Sequence, residues 1–193
     1  MAKKSETDGF LVGVDEAGRG PLAGPVVACA VLIVNKSEEL LSLPFDDSKR
    51  ITSQKRKVLY DKLKKMSEVE WGIGVVSEKI IDKINIREAT KLAMRKATDK
   101  IKRKKRRIVV DGNFTFNEEE NQEAVKGADG FVLECMIASV IAKVERDKIM
   151  EENHTKYPLY GFYKHKGYGT KEHYAMLKKY GKSPVHRESF RLF

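Results

Sequence analysis

Residues 10–34 have the sequence FLVGVDEAGRGPLAGPVVACAVLIV, in which two apolar stretches flank a turn rich in glycine. The first stretch, 10–16, ends in two acidic residues, and the second, 25–34, is rich in the β-branched residues that favour strands. Between them, 17–24 contains three glycines, which are typical of tight turns. This part of the chain therefore predicts a β-strand, a glycine-rich turn and a second strand.

The rest of the chain alternates between helical and strand patterns. Apolar residues at helical spacing predict helices, and short β-branched runs predict strands. In chain order, we predict a polar loop over 35–50, a helix over 53–66, a strand over 69–76, a helix over 86–101, a strand over 107–111, a short strand over 124–126, and helices over 133–150 and 171–180. Three early strands followed by alternating elements indicate an α/β fold with a mixed sheet, antiparallel at first and parallel later.

The length and composition indicate one soluble domain. The chain has 193 residues, of which 41% are hydrophobic and 34% charged, which excludes a disordered or collagen-like chain. No apolar run approaches the roughly 20 residues of a membrane helix, and the N-terminus lacks a signal-peptide pattern, so we expect a cytoplasmic location. Cys29 and Cys135 lie far apart in apolar stretches, which indicates buried, reduced thiols.

The charge is basic and unevenly distributed. Lys and Arg number 38 against 28 Asp and Glu, a formal net charge of +10, and residues 164–191 hold eight basic residues against two acidic ones. This segment is interleaved with Tyr, His and Gly, which favours nucleic acid over a membrane as the partner, but a plain basic surface explains the composition equally well. The six consecutive basic residues 102–107 favour a solvated helix end over a specific contact.

Acidic residues follow the ends of the predicted strands. Asp15 and Glu16 end the first strand, Asp111 ends the fourth, and Asp129 follows the fifth. Each acid alone is more typical of a turn or a helix cap, but a carboxylate emerging from a buried strand is costly unless it is paired or binds a cation. Several together form an oxygen-ligand site for Mg²⁺ or Mn²⁺. Because adjacent strand residues point to opposite faces, we expect Asp15 to be a central ligand and Glu16 to act through its carbonyl or a water.

The glycine-rich turn also matches a dinucleotide-binding pattern, because residues 18–23 fit G-x-G-x-x-A. That pattern requires a helix to follow it, whereas 25–34 predicts a strand, so we do not expect a nucleotide cofactor. The turn still allows close approach of a nucleic-acid strand, since glycine has no side chain.

The four histidines fall in the last quarter of the chain, at His154, His165, His173 and His186. Their spacing resembles no common zinc site, and no cysteine is near them in the sequence. We expect them to contact phosphate or line a cleft rather than to bind metal.

Several of these stretches together resemble the type 2 ribonucleases H, specifically the ribonuclease HII family. The matching motifs are VDEAGRGPLAGPV (14–26), DSK (47–49), VDGN (110–113), ASVIAKV (138–144) with Arg146-Asp147, HKGYGT (165–170) with His173-Tyr174, and SPVHRESF (183–190). They occur in order over nearly the whole chain. The Gly-Arg-Gly turn favours ribonuclease HII over its sister family, ribonuclease HIII.

The resemblance implies a ribonuclease H-like fold, with a mixed five-stranded sheet flanked by helices and a helical C-terminal segment. It implies an endonuclease that cuts RNA hybridised to DNA and nicks at single ribonucleotides embedded in duplex DNA. Position by position, it places the catalytic, metal-binding acids on Asp15, Glu16, Asp111 and Asp129. The implied substrate-binding residues are Gly18, Arg19 and Gly20 at a 2′-hydroxyl, Tyr168 against a sugar, Lys49 at a phosphate, and further Ser48, Lys143, Lys166 and Arg187.

The implied mechanism is phosphodiester hydrolysis with two divalent cations, Mg²⁺ or Mn²⁺, leaving 3′-hydroxyl and 5′-phosphate ends. We expect one catalytic domain over 1–193, in which 157–193 form a basic substrate-binding segment. We expect the protein to act as a monomer on RNA–DNA hybrids and ribonucleotide-containing duplexes, and not on a membrane.

Two other functions remain open. A noncatalytic nucleic-acid-binding module explains the charge and Tyr168 but not the acids. A resolvase of the same fold explains the acids but needs neither the Gly-Arg-Gly turn nor Tyr168.

Overall fold

The computed structural model describes residues 9–45, 52–103 and 106–191, and a mixed five-stranded sheet lies at its centre. The strands are β1 (Phe10–Ala17), β2 (Val26–Ile33), β3 (Val69–Val76), β4 (Arg106–Asp111) and β5 (Gln122–Val125), in the order β3-β2-β1-β4-β5. β2 is antiparallel to β1 and β3, whereas β4 is parallel to β1 and β5. The predicted α/β fold is confirmed, including the change from antiparallel to parallel pairing.

Within the described residues, six α-helices accompany the sheet. They are α1 (Glu38–Leu41), α2 (Ser53–Leu63), α3 (Glu78–Thr98), α4 (Leu133–Lys156), α5 (Phe162–His165) and α6 (Lys171–Tyr180), with 3₁₀ turns at Ala128–Gly130 and Pro158–Tyr160. The predicted helix 171–180 coincides with α6: the Thr170 hydroxyl caps its first turn by accepting from the His173 amide, and Gly181 ends it.

The segment predicted as a polar loop, 35–50, differs from that expectation in its described part. It contains α1, whose N-terminus is capped by the Ser37 hydroxyl. Leu40 and Phe45 are buried in the core beside this helix. A four-residue helix is too short to show a helical period, which is why the polar composition dominated the prediction.

The helix predicted over 86–101 begins earlier, at Glu78. The backbone breaks at Asn85, which has φ 66°, and its side-chain oxygen accepts hydrogen bonds from the amides of Arg87 and Glu88. Asn85 therefore caps the second part of α3, which is the part that the sequence pattern predicted. The seven residues before Asn85 span only about two turns and mix charged residues with isoleucines, of which only Ile81 is buried, so they carry no clear apolar period.

Both faces of the sheet are buried. Every residue of β2 is buried, and its side chains alternate between two cores: Cys29 and Val31 pack towards α2 and α4, whereas Ala28 and Ala30 pack towards α3. A strand covered on both faces has a continuous apolar sequence rather than an alternating one. This explains the uninterrupted apolar run that follows the glycine-rich turn.

Helix α4 packs along β1 and β2 and brings three polar side chains to the end of β1. Ser139, Lys143 and Arg146 follow the i, i+4, i+7 spacing of one helix face. The same face therefore delivers a hydroxyl, an ammonium and a guanidinium to the place where β1 ends.

Both cysteines are free and buried, as predicted: Cys29 lies in β2 and Cys135 in α4. Among the helices that the structure describes, none combines the length and the apolar character required to cross a membrane.

Candidate active site

Three carboxylates meet at one edge of the sheet. β1 and β4 are parallel neighbours, so their carboxyl ends lie side by side and bring Asp15 close to Asp111. Asp129 joins them from the 3₁₀ turn that follows β5. One carboxylate oxygen from each of the three residues lies within 4.8 Å of the others. The three acids thus converge, as expected from their positions at strand ends.

The environment of Asp15 disfavours its charge. Its pKa is raised well above the usual value, chiefly by burial and then by the neighbouring charges of Glu16 and Asp111. Hydrogen bonds from the Ser139 hydroxyl and from the Glu16 amide, whose nitrogen lies 2.7 Å from Oδ1, oppose this shift only in part. A buried carboxylate among other carboxylates is stabilised in its charged form by a bound cation.

Asp111 is held in a fixed orientation. The amides of Gly127 and Ala128 donate to its Oδ1 at 2.7 and 3.0 Å. Burial and then the neighbouring Asp129 carboxyl raise its pKa, and the two amides oppose the shift. One oxygen is thus anchored by the turn that carries Asp129, so the two acids are positioned by the same piece of backbone.

Glu16 lies outside the group of three aspartates. Its Oε1 pairs with Arg19 Nη1 at 3.2 Å, whereas its Oε2 is buried with no hydrogen-bond partner among the described residues. Burial raises the pKa of Glu16, and Arg19 opposes the rise. A buried carboxylate oxygen without a donor fits a site that holds a hydrated divalent cation, because a bound water supplies the missing donor. The residues present therefore fit such a metal.

A cleft lies next to these acids. Its lining residues come from the end of β1, the glycine-rich turn, α2, α4 and the segment before α6, and they are Glu16, Ala17, Gly18, Arg19, Gly20, Arg56, Ser139, Val140, Lys143 and Tyr168. Five of the predicted substrate-binding residues thus lie together. Arg56 and Ser139 also line the cleft and were not among the residues predicted from the sequence. Ser139 precedes Lys143 by four positions in a helix, which is the signal that identifies it.

Tyr168 lies at the rim of the cleft with 44% of its surface exposed. Lys143 Nζ lies 5.8 Å from its ring centroid, and Arg146 Cζ lies 5.9 Å from it. Burial lowers the pKa of Lys143, an effect that its 2.8 Å ion pair with Asp147 opposes. Only Lys143 of these two cations lines the cleft, and an exposed aromatic face beside a cation is suited to a sugar next to a phosphate.

Two predicted substrate-binding residues have positions that argue against direct contact. Lys166 pairs with Glu151 at 2.8 Å and is not among the residues that line the cleft. Arg187 is 0% exposed and donates to main-chain carbonyls behind the turn. We therefore infer that Arg187 holds the glycine-rich turn in place instead of contacting the substrate. Ser48 and Lys49 lie outside the described residues.

Three of the four histidines form a buried cluster instead of contacting phosphate or lining the cleft. His173 Nε2 lies 2.9 Å from His186 Nε2, and the ring of His173 stacks on that of His165 with centroids 4.5 Å apart. The cluster packs around Phe162. It also supports the tyrosine at the rim, since His173 Nδ1 lies 3.0 Å from the Tyr168 carbonyl oxygen. Their clustering is a tertiary effect that their spacing in the sequence does not reveal.

The histidine cluster predicts a loss of stability in mild acid. Burial lowers the pKa of His173 to about 4 and also lowers those of His165 and His186. In the unfolded chain these groups titrate near pH ~6.5, so between pH 4 and 6.5 the unfolded state binds more protons. The stability that the neutral histidines contribute is therefore present above about pH 6.5 and is lost as the pH falls towards 4.

The measurement is the free energy of unfolding by urea at a series of pH values between 4 and 7. In His173→Gln we expect a shallower slope than in the wild type, by up to about 1.4 kcal/mol per pH unit. An unchanged slope in His173→Gln would contradict the prediction.

Comparison with known proteins agrees with this geometry. The family model described as ribonuclease HII matches residues 12–193. The chain is 43% identical over 185 residues to ribonuclease HII of Chlorobium luteolum, covering 94% of this chain and 88% of that protein. It is 45% identical over 186 residues to ribonuclease HII of a Polaromonas species, covering 96% and 91% of the two chains.

Solved structures show the same fold. The crystal structure of ribonuclease H2 from Pyrococcus horikoshii superposes with a TM-score of 0.74 at 28% sequence identity, over 95% of this chain and 94% of that one. The family match, the close relatives and the superposition each extend over nearly the whole chain. The chain therefore belongs to the ribonuclease HII family of endoribonucleases, which hydrolyse the RNA strand of RNA–DNA hybrids.

Proposed function

We propose that this protein nicks the strand on the 5′ side of a ribonucleotide, both within RNA–DNA hybrids and at single ribonucleotides embedded in duplex DNA, and leaves 3′-hydroxyl and 5′-phosphate ends. The observation that supports this most directly is the position of the three aspartates beside a cleft with the Gly18–Gly20 backbone on one side and Tyr168 on the rim. The corresponding role is removal of ribonucleotides and RNA primers by a cytoplasmic monomer.

The metal requirement follows from the carboxylates. Asp15 would hold two divalent cations, Mg²⁺ or Mn²⁺, with Asp111 and Asp129 each completing one site and Glu16 contributing through a bound water. When bound, such cations would lower the pKa of the attacking water and stabilise the negative charge on the leaving 3′-oxygen. The protein's own contribution is orientation: the Gly127 and Ala128 amides fix Asp111, and Arg19 fixes Glu16.

Substrate binding is divided between charge and shape. Lys143 lies in the cleft with its Nζ 5.8 Å from the centroid of the Tyr168 ring, and it would contact a phosphate next to the nicked bond. The turn over Gly18–Gly20 would contact the ribose 2′-hydroxyl, because main-chain donors and acceptors there are not shielded by side chains at the glycines. Tyr168 would lie against the following sugar, where a second 2′-hydroxyl would crowd the ring.

A single assay tests this function. The protein is incubated with an end-labelled DNA duplex that carries one ribonucleotide, first with Mg²⁺ or Mn²⁺ and then with EDTA. With Mg²⁺ or Mn²⁺ we expect one nick on the 5′ side of the ribonucleotide, with a 3′-hydroxyl and a 5′-phosphate at its two ends. In EDTA we expect no nick. Binding without cleavage would indicate a noncatalytic module. Cleavage of branched DNA, with none at the ribonucleotide, would indicate a resolvase.

Tyr168 provides a more specific test of junction recognition. We expect Tyr168→Ala to lose about tenfold or more of the cleavage rate at an embedded ribonucleotide, because stacking on an aromatic ring is worth about 1–3 kcal/mol. Tyr168→Phe keeps the ring and should lose less. The measurement is the ratio of kcat/KM on the embedded ribonucleotide to kcat/KM on a continuous hybrid. An equal loss on both substrates would make Tyr168 a general binding residue rather than one that recognises the junction.

A further inference from the structure

Two arginines are completely buried behind the cleft, which is rare for this residue type. Arg146, in α4, and Arg187, after α6, are both 0% exposed. Burial lowers the pKa of both, that of Arg187 to about 9, and a guanidinium stays charged at neutral pH. No described acidic residue forms an ion pair with either: Asp147 pairs with Lys143 instead. Charges without a carboxylate partner are expensive to bury, so their hydrogen bonds must compensate for the lost solvation.

Arg187 binds the main chain of the glycine-rich turn. Its guanidinium donates to the carbonyl oxygens of Gly18 at 2.6 Å, Arg19 at 2.9 Å and Gly24 at 2.9 and 3.0 Å. A fifth, longer bond reaches a fourth carbonyl, that of Pro25, at 3.3 Å. One side chain therefore holds both ends of the turn.

Arg146 connects the same turn to the segment that carries Tyr168. It donates to the carbonyls of Ala23 at 3.1 Å and Pro25 at 3.0 Å, and to that of Lys166 at 3.0 Å. A main-chain bond from the Leu22 amide to the Gly167 carbonyl, at 2.9 Å, runs in parallel. The distance between the turn and the Tyr168 segment is thus set by this main-chain bond together with the bonds from one rigid guanidinium plane.

The bonds to Arg187 also fix the direction of two amides. In a planar trans peptide the C=O and the next N–H point in opposite directions. Because the Gly18 and Arg19 carbonyls face the buried guanidinium, the amides of Arg19 and Gly20 face away from it, towards the cleft that these residues line. Neither amide donates to another group in the part of the chain that the structure describes. Two oriented donors are therefore left for a ligand.

We propose that Arg187 and Arg146 are positioning residues that act as one clamp: Arg187 aims the Arg19 and Gly20 amides at the ribose, and Arg146 fixes the spacing between that turn and Tyr168. This inference rests on the proposed cleavage at ribonucleotides. The clamp sets the preference for a ribose followed by a deoxyribose, because the two sugars are contacted by two segments whose separation it holds constant. Neither arginine touches the substrate.

The test compares Arg146→Lys and Arg187→Lys with the wild type. Lysine keeps the positive charge but cannot donate to several carbonyls in one plane. We expect each variant to lower the ratio of kcat/KM on an embedded ribonucleotide to kcat/KM on a continuous hybrid by about tenfold or more, since misplacement of about 1 Å has effects of that size. The matched control is Arg106→Lys. Arg106 has a 9% exposed side chain and donates to the carbonyls of Thr98 and Ile101, but it lies at the opposite end of β4.

The outcomes separate this inference from the function on which it rests. If the wild type does not nick at the ribonucleotide, the proposed function is wrong. If it does, and the lysine variants keep the wild-type ratio, or if Arg106→Lys lowers the ratio as much, the clamp is wrong. Should the lysine variants fail to fold, NMR order parameters of the substrate-free wild type decide. We expect the Arg19, Gly20 and Tyr168 amides to be as rigid as β1, with S² of about 0.85, and values below about 0.6 would overturn the clamp.

Discussion

Asp15→Asn is expected to abolish cleavage and to leave substrate binding nearly unchanged. Asp15 is a buried member of the aspartate group, and Glu16 and Asp111 both act on its charge, so its loss removes the charge shared by the proposed cation sites. Asparagine has the same shape and can still accept from the Glu16 amide. We expect kcat to fall by at least about 10³-fold, a loss at the upper end of what one electrostatic group contributes to a transition state. The measurement is single-turnover cleavage of a duplex with one ribonucleotide in saturating Mg²⁺.

Two further measurements on Asp15→Asn show that the loss is chemical and not structural. The dissociation constant for the duplex should stay within about threefold, since the lost contact is to metal and not to phosphate. In EDTA the variant should be more stable than the wild type, by about 0.5–2 kcal/mol, because a buried charge close to Glu16 and Asp111 is removed. Cleavage in Mg²⁺ close to the wild-type rate would contradict the assignment of Asp15 as a metal ligand.

The sheet and the acids could be predicted from the sequence because their signals are local. β-branched runs define most of the strands, and the acids near the ends of β1 and β4 show where these two strands leave the core. Parallel pairing of β1 with β4 then places Asp15 next to Asp111 without further information. The caution about Glu16 has the same origin, because the alternation of side chains along β1 separates it from the group of three.

The supporting residues could not be predicted, because burial of a charged or polar side chain depends on distant parts of the fold. Arg187 lies in a segment that is basic overall, and the average behaviour of arginine is exposure, so the sequence favours a substrate contact for it. Its position is set by carbonyls more than 160 residues earlier in the chain. The histidines illustrate the same limit, since His173 and His186 meet only after α6 folds against the final segment.

Gly18→Ala and Gly20→Ala are expected to differ in their effect on stability, although the two glycines are only two positions apart. Gly18 has φ +100°, and a Cβ there would lie 2.1 Å from Arg146 Nε and 2.7 Å from the Pro25 carbonyl oxygen. Arg146 is buried and held by three hydrogen bonds, so it cannot move aside. Backbone strain and overpacking together should destabilise Gly18→Ala by about 2–4 kcal/mol and remove most activity.

At Gly20 the nearest atom to an added Cβ is Tyr168 Cε1 at 3.9 Å, an ordinary contact, so Gly20→Ala should fold with a stability within about 0.5 kcal/mol of the wild type. The added methyl group would instead occupy space beside the Gly20 amide, where the proposed 2′-hydroxyl lies. We therefore expect cleavage at an embedded ribonucleotide to fall by about tenfold or more with no change in the urea midpoint, a combination that Gly18→Ala cannot give. If Gly20→Ala cleaves at the wild-type rate, the substrate does not approach this turn closely, and recognition of the ribose by the turn is wrong even if the aspartates bind metal as proposed.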